Sequence, residues 1–218
     1  MSAHDQHATP RPPTEMFEPE PWDERYSGQE DVWSGAPNPQ LVVEVSKLAA
    51  GSALDVGCGE GGDVIWLAQR GWSVTGADFS QNGLARAARH AEQAGVAEHI
   101  DWWQVDAREL TADGRAYDLV TTHFLHPREG GMVDVVRRLA EMVAPRGHLL
   151  VVGHAPPAGT LIPAADPRRR AMFLANQLLP ALPDDFQAAV VEQRPRTVTR
   201  EGRTIDIDDS TLLARRRA

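Results

Sequence analysis

The sequence predicts an α/β fold, a doubly wound and mostly parallel sheet with helices on both faces. Two observations predict it. Apolar runs typical of buried strands alternate with segments whose apolar residues recur at helical spacing through most of residues 39–154. Acidic or histidine side chains follow several of the strands, which places them together at one edge of a parallel sheet. Connections between parallel strands are right-handed, so this alternation limits the topology to a few arrangements.

The first elements follow one another closely. Pro39–Ala50 carries apolar residues at helical spacing and is predicted to be a helix that ends at Gly51. The apolar run Ser52–Val56 is predicted to be a strand that enters a glycine-rich loop. The helix after this loop runs to Arg70, where Gly71 ends it.

The middle of the chain repeats this pattern. Trp72–Ala77 is predicted to be the second strand. Ser80 is suited to cap the next helix, Gln81–Ala94, whose alanines and leucine share one side and which Gly95 ends. The third strand is Ile100–Val105.

The remaining elements are predicted by the same signals. Tyr117–Thr122 is the fourth strand, Gly131–Ala144 a helix and Arg146–His154 the fifth strand. An Asp-Pro pair at residues 166–167 gives an N-cap followed by proline at the first helical position, which predicts a helix over Arg168–Leu179.

Composition and charge narrow the class of protein. The 218 residues are 42% hydrophobic and 24% charged, which suits one globular domain with a sizeable core. The net charge of −9 argues against a nucleic-acid partner. No stretch reaches the ~18 apolar residues of a membrane span. The single cysteine, Cys58, excludes an intrachain disulfide, and the N-terminus lacks a signal-peptide pattern, so we expect a cytoplasmic protein.

The chain is predicted to have three parts. Residues 1–18 are rich in Pro, His and Thr and are expected to be a disordered tail. Residues 19–50 form an N-terminal cap segment followed by a helix. Residues 51–218 form the main domain.

The glycine-rich loop is the most informative stretch. Gly57, Gly59 and Gly61 let the backbone take positive φ and approach a ligand closely. The glycine spacing also satisfies the dinucleotide fingerprint. Asp55 and Glu60, however, add two acids that would repel a pyrophosphate. The loop therefore suits a cationic, phosphate-free nucleoside better than a dinucleotide.

The run Asp55-Val-Gly-Cys-Gly-Glu-Gly61 resembles the first motif of the class I S-adenosylmethionine (SAM) dependent methyltransferases. The resemblance covers residues 41–155 well. It implies a Rossmann-like sheet of seven strands, with SAM as methyl donor and S-adenosylhomocysteine as product. It also makes Phe186–Val198 and Thr204–Ala214 an antiparallel C-terminal hairpin, although Pro195 is expected to interrupt the first of these strands.

The cap segment resembles a small-molecule branch of this family. Trp22-Asp-Glu-Arg-Tyr26, followed by Trp33 and Gly35, resembles the thiopurine, halide/thiol and tellurite methyltransferases. In that branch the corresponding region covers the cofactor. The rings of Tyr26 and Trp33 either contact the cationic cofactor through their faces or anchor the segment on the domain, and both roles are compatible.

The predicted cofactor residues lie at the strand ends. Asp78 follows the second strand about 20 residues after Gly57, where a carboxylate accepts both ribose hydroxyls. Cys58 is a small residue that fits the turn and is not a nucleophile. The resemblance adds an adenine contact at Asp106. The full predicted set is Tyr26, Trp33, Asp55, Gly57, Cys58, Gly59, Glu60, Gly61, Asp78, Phe79, Asp106, Ala107, Thr122 and His123.

His123 and His154 are the candidates for catalysis. An imidazole titrates near neutral pH and can take a proton from a hydroxyl or thiol acceptor. Histidines at strand ends also commonly hydrogen-bond loops, and both interpretations stay open. No compact ligand spacing predicts a metal.

We therefore expect a methyltransferase that acts on a small molecule through an oxygen, sulfur, nitrogen or chalcogen nucleophile. It is expected to be a monomer or homodimer with no nucleic-acid or membrane partner. Two alternatives remain: an NAD(P)-dependent oxidoreductase, which the glycine spacing allows, and a non-enzymatic SAM-binding regulator.

Overall fold

The structure is a computed structural model that describes residues 18–125, 127, 131–156, 172–200 and 203–218. A sheet of seven strands has the order β3-β2-β1-β4-β5-β7-β6. The first five strands pair in parallel, and β7 lies antiparallel between β5 and β6. This confirms the predicted sheet. The strands are β1 (Ser52–Val56), β2 (Ser73–Asp78), β3 (Ile100–Gln104), β4 (Tyr117–His123), β5 (Val143–His154), β6 (Phe186–Arg200) and β7 (Arg203–Arg216).

Five α-helices accompany the sheet within the described ranges, and sequence signals explain several of their starts. Asn38 accepts a hydrogen bond from the Gln40 N–H, with Pro39 at the first helical position. Ser80 likewise accepts from the Gly83 N–H, as predicted. The helices are α1 (Pro19–Tyr26), α2 (Pro39–Val45), α3 (Gly62–Ala68), α4 (Gln81–Gln93) and α5 (Gly131–Glu141), and 3-10 helices span Ala97–His99 and Ala175–Ala181.

Two apolar layers cover the two faces of the sheet. One, here the α5 face, packs Leu54 and Val120 against α5 and the second 3-10 helix. The other, here the α3 face, packs Ala53 and Leu119 against α2, α3 and α4. Because strand side chains alternate between faces, Asp55 and His123 lie on the α3 face.

Three elements differ from the sequence prediction. Helix α2 ends at Val45, before the predicted Ala50, and α1 was not predicted. Of the helix expected over Arg168–Leu179, residues 168–171 lie outside the described residues, and a 3-10 helix spans Ala175–Ala181 instead. Pro180 in this segment has no N–H for an α-helical hydrogen bond.

Pro195 does not interrupt its strand, contrary to expectation. It pairs with Asp208 inside β6, which continues to Arg200. Among the strands that the structure describes, β6 lies at the edge of the sheet and neighbours β7 alone. A proline is tolerated there because its missing N–H is not needed by a second neighbouring strand.

The tail predicted over residues 1–18 lies, except for its last residue, outside the described residues. In the part of the chain that the structure does describe, no helix combines the length and hydrophobicity that crossing a bilayer requires.

Candidate active site

The glycine loop is held tightly between the ends of β2 and β4. Gly57, Gly59 and Gly61 all have positive φ, between +51° and +83°, which explains the glycines. The Gly57 N–H donates to the carbonyl of Ala77 at 2.8 Å. A Cβ atom on Gly57 would lie 2.7 Å from Leu125 Cδ1. The chain just after β4 therefore touches the loop directly.

Asp78 ties this loop to the end of β2. One carboxylate oxygen accepts from the Gly59 N–H at 2.8 Å and the other from the Ser80 N–H at 2.9 Å. The side chain is buried, and this burial raises the pKa of Asp78 despite the two hydrogen bonds. The predicted ribose residue is thus also part of the loop's own structure.

Asp55, Asp63 and His123 form a buried charge network on the α3 face. Nδ1 of His123 lies 2.8 Å from an Asp63 oxygen and 3.8 Å from an Asp55 oxygen, and Nε2 lies 2.8 Å from the Thr121 hydroxyl. Burial, with the neighbouring Asp63 charge, raises the pKa of Asp55 to about 7. Burial opposes the charged ring of His123, but the Asp63 carboxylate outweighs it and the His123 pKa is raised.

This network bears on two sequence predictions. Both ring nitrogens of His123 face protein groups. The geometry therefore favours a role for His123 as the charged partner of Asp63 over the predicted role as general base. The three side chains also bring possible metal-ligand atoms within 4.8 Å of one another, which the sequence spacing did not indicate. Nδ1 of His123 nevertheless lies closest to an Asp63 oxygen, as expected for an ion pair between the two side chains. We interpret the group as a charge network.

Glu60, one of the predicted cofactor residues, holds the cap segment through its side chain. Its oxygens accept from the Val32 and Trp33 N–H groups, both at 2.9 Å, and from the Arg86 guanidinium at 2.8 Å. Arg86 also donates to the carbonyls of Tyr26, Gly28 and Glu30. Glu60 and Arg86 are both buried, so the ion pair and its hydrogen bonds fix residues 26–33 beside the glycine loop.

The aromatic side chains of the cap pack beside the loop as well. The Tyr26 hydroxyl accepts from Trp33 Nε1 at 3.0 Å and would lie 2.8 Å from a Cβ on Gly59. The Arg25 guanidinium lies 5.2 Å and 5.4 Å from the ring centres of Trp22 and Trp33. A cation of the chain itself therefore lies at the faces of Trp22 and Trp33, and this contact supports the anchoring role, one of the two roles that the sequence analysis gave to the aromatic rings.

The predicted adenine residues lie beyond β2 and β3. Arg108 donates to both oxygens of Asp106. Partial burial raises the pKa of Asp106, but the hydrogen bonds and the charge of Arg108 outweigh burial, and the pKa is lowered overall. Ala107 is buried and Phe79 is half-buried. The backbone carbonyl of Phe79 accepts from Gln104 Nε2 at 3.2 Å.

Two further predicted residues have structural contacts. Thr122 donates its hydroxyl hydrogen to the Val56 carbonyl at 2.8 Å and so joins β4 to β1. Cys58 is buried, and burial raises the pKa of its thiol well above the usual value. A neutral thiol agrees with the prediction that Cys58 is not a nucleophile.

Sequence reasoning missed a cluster beside the end of β4, which we call the Arg196 cluster: Phe124, His154, Arg196 and Asp209. Phe124 takes φ = +53° and stacks its ring on His154 with centres 4.6 Å apart. Arg196 lies 4.9 Å from the Phe124 ring centre and donates from Nε to the buried Asp209 at 2.8 Å. His154 pairs with Asp209 across β5 and β7. Only the strand pairing reveals this proximity.

A separate cavity of about 290 Å³ lies at the opposite, amino-terminal edge of the sheet. None of the predicted site residues lines it. Its lining residues are Leu48, Ala49, Ala50, Gly51, Trp72, Asp118, Arg146 and His148.

Known proteins match the region that contains the glycine loop. Residues 53–147 match the family model of a methyltransferase domain. A ubiquinone biosynthesis O-methyltransferase of Marinobacter nauticus is 36% identical over 113 residues, which cover 50% of this chain and 47% of the relative. The protein of that name from Agrobacterium fabrum is 30% identical over 130 residues, 60% and 48% of the two chains. The chain thus spans about half the length of these curated relatives.

Solved structures share the fold over nearly the whole chain. TehB from Haemophilus influenzae has a TM-score of 0.66 at 18% identity, covering 90% of this chain and 66% of that one. The N-methyltransferase NodS from Bradyrhizobium japonicum, in complex with S-adenosylhomocysteine, has a TM-score of 0.65 at 20% identity, covering 89% and 96%. A protein solved in a study of thioacetal formation in echinomycin biosynthesis has a TM-score of 0.73 at 21% identity, covering 91% of both chains.

The strand order, the glycine loop with its positive φ angles and the acids at the ends of β1 and β2 together define an α/β domain with a Rossmann-like sheet. The methyltransferase-domain match over residues 53–147 agrees with the resemblance to the class I SAM-dependent methyltransferases that the glycine loop carries.

The Glu60–Arg86 pair predicts a large loss of stability when one partner is removed. Arg86→Met leaves the Glu60 carboxylate buried and frees three carbonyl groups, so we expect a loss of about 3–5 kcal/mol in the free energy of unfolding. Denaturant unfolding measures this, and limited proteolysis should cut residues 26–33 faster. Arg89→Met on the exposed side of the same helix is the control. Equal stability of the two variants would contradict the assigned role of Arg86.

The raised Asp55 pKa predicts a pH-dependent stability. The folded state binds this proton more tightly than the unfolded chain, so the free protein loses stability as pH rises from about 4 to about 7. His123, with its raised pKa, acts in the same direction. Asp55→Asn should flatten this dependence and stabilise the free protein by at least about 1 kcal/mol above pH 7. Thermal unfolding across this pH range is the measurement.

The control for this series is Asp101→Asn, since Asp101 is exposed on β3. It should keep the parent's pH profile. An Asp55→Asn profile parallel to the parent's would show that the Asp55 carboxyl does not retain its proton in the folded protein.

Proposed function

We propose that this protein transfers the methyl group of SAM to a small-molecule acceptor. The observation that carries the proposal is the pair of buried carboxyl groups, Asp55 and Asp78, on either side of the left-handed glycine loop. Acidic groups at adjacent strand ends suit a ligand that carries an ammonium, a sulfonium and two ribose hydroxyls but no phosphate. The same pair disfavours NAD(P), whose pyrophosphate it would repel.

The residues present fit SAM in their chemistry. The Asp55 carboxyl accepts no hydrogen bond from the described residues and lies beside the loop, so it can accept from the ammonium group. Asp78 keeps lone pairs beyond its two backbone hydrogen bonds, and these suit ribose hydroxyls. We assign the adenine side to Phe79, Asp106 and Ala107. Bound SAM supplies an activated methyl group on a sulfonium, and the protein's part is to orient it and exclude water.

We propose that Tyr26 and Trp33 close the site from above. This proposal is supported by the Glu60–Arg86 pair, which fixes residues 26–33 beside the loop. In this arrangement Tyr26, Cys58 and Thr122 act by shaping the cofactor site. In this proposal the cap segment is a fixed wall of the site, because Glu60 and Arg86, which tie it to the loop, are both buried.

His154 is the residue we propose as general base. It ends β5 at the same edge of the sheet as His123, is half-buried and lies beside the Arg196 cluster's aromatic ring. A base is needed only for acceptors that arrive with a proton on the nucleophile. The curated relatives are O-methyltransferases by name, so we propose hydroxyl acceptors as the first to test, before thiols and amines.

The net charge of −9 supports an acceptor that is not a nucleic acid. The free Cys58 fits a reducing compartment, and we propose a cytoplasmic location. We propose a monomer or a homodimer.

Binding of S-adenosylhomocysteine is the first test. Calorimetry should detect binding by the parent protein, and Asp78→Asn should weaken it at least about tenfold, since the variant loses charge-assisted hydrogen bonds to the ribose and to the loop. Asp101→Asn should bind like the parent. NADH titrated in parallel should give no heat. Heat with NADH and none with S-adenosylhomocysteine would replace this proposal by the oxidoreductase alternative.

Turnover with hydroxyl acceptors tests His154. His154→Gln should lower methylation of a phenol, followed with tritiated SAM, by about 100-fold or more below the phenol's pKa and leave S-adenosylhomocysteine affinity unchanged. Methylation of an already ionised thiolate should fall much less in the same variant. If phenol turnover stays at the parent level, His154 is not the base. Parent protein that binds S-adenosylhomocysteine but methylates no acceptor would favour a regulator.

A further inference from the structure

We propose that Arg196 binds a carboxylate group of the acceptor, so that the substrate is a small carboxylic acid. This inference rests on the proposed methyltransferase function and deepens it. The site is the Arg196 cluster, on the α3 face beside the end of β4.

The guanidinium of Arg196 is held in a fixed orientation. Its Nε lies 2.8 Å and 2.7 Å from the two oxygens of Asp209, whose side chain is 0% exposed. The Arg196 side chain is 24% exposed. Within the described residues its two terminal NH₂ groups have no hydrogen-bond partner. An arginine fixed through Nε, with its outer nitrogens open, presents donors to a carboxylate.

The cluster lies next to the cofactor loop. Phe124, which packs under the guanidinium, is the first residue after β4, and its neighbour Leu125 contacts Gly57. The left-handed φ of Phe124 turns the chain sharply at this point. An acceptor bound by Arg196 would therefore lie close to the loop that we assign to SAM, as methyl transfer requires.

Unsatisfied polar atoms mark the same region of the α3 face. Among the described residues, five buried side-chain atoms lack a well-aligned hydrogen-bond partner. Asp209, Thr211 and His123 on the α3 face supply three of them, whereas Ser210 lies on the opposite face of the sheet and Asn38 lies at the start of α2. Arg196 Nε already lies 2.7 Å from the Asp209 oxygen, so the Thr211 hydroxyl is the buried group beside Asp209 that a bound water next to a polar ligand would satisfy.

The surrounding charges favour a carboxylate over a phosphate. Arg196 is opposed at short range by Asp209, and Asp55 and Asp63 lie on the same face. This acidic neighbourhood tolerates one negative charge held by the guanidinium but repels a second. A monoanion with two coplanar oxygens matches the arginine best.

The test compares matched ligands that differ only in charge. The probes are 4-hydroxybenzoate, its neutral methyl ester and 4-hydroxyphenyl phosphate, titrated by calorimetry into the full-length protein with and without S-adenosylhomocysteine. The parent should bind the carboxylate at least about tenfold more tightly than the ester or the phosphate. Arg196→Gln should remove this preference and leave ester binding and S-adenosylhomocysteine affinity unchanged. Arg194→Gln, on the same strand but paired with Glu44 and Glu192, should keep the preference.

Because Arg196→Gln leaves Asp209 buried without its partner, the double variant Arg196→Gln/Asp209→Asn is measured too, and it should also lack the preference. Equal binding of carboxylate and ester by the parent, tighter binding of the phosphate, or a preference that survives in the double variant would overturn the carboxylate subsite. If the parent does not bind S-adenosylhomocysteine, the proposed methyltransferase function is overturned instead. The two failures can be told apart because the preference for the carboxylate over the ester is also measured without S-adenosylhomocysteine.

Discussion

The buried Asp78 carboxylate is the constraint on which the site depends. It accepts one backbone N–H from Gly59 in the loop and one from Ser80 at the start of α4, so it joins two neighbouring β-α connections at the sheet edge. A loop with three left-handed glycines would otherwise be free to adopt many conformations. The carboxylate thus positions the loop first and is then available to a ligand with its remaining lone pairs.

The second acid of the loop, Glu60, performs the corresponding task for the cap. Through Arg86 it fixes residues 26–33, and through Tyr26 and Trp33 it covers the loop with aromatic side chains. The two acids of the first motif therefore have different partners: Asp55 lies with His123 and Asp63 beneath the loop, whereas Glu60 binds the chain that lies over it. One short motif therefore organises the contacts on both sides of the glycine loop.

Much of the fold could be predicted because its signals are local. Apolar runs that alternate with helical spacing, together with capping residues and glycines, predicted the five parallel strands. The family resemblance predicted the C-terminal hairpin. Contacts between distant segments could not be predicted. The sequence near Glu60 gives no sign that residues about thirty positions earlier return to bind it, so this contact was not predicted. Arg196 and Asp209 meet only because β6 and β7 pair in one particular register. The prediction that Pro195 interrupts its strand would hold for a central strand, but the strand order places β6 at the edge of the sheet.

We propose that the acids at neighbouring strand ends hold a cationic nucleoside against the glycine loop. A crystal structure of the complex with S-adenosylhomocysteine tests this most directly. It should show the ligand between Asp55 and Asp78, with its ammonium on the Asp55 side, its ribose on the Asp78 side and the Tyr26 ring over the loop. A ligand bound at the cavity on the opposite sheet edge, or one that leaves both carboxyl groups without contact, would contradict it.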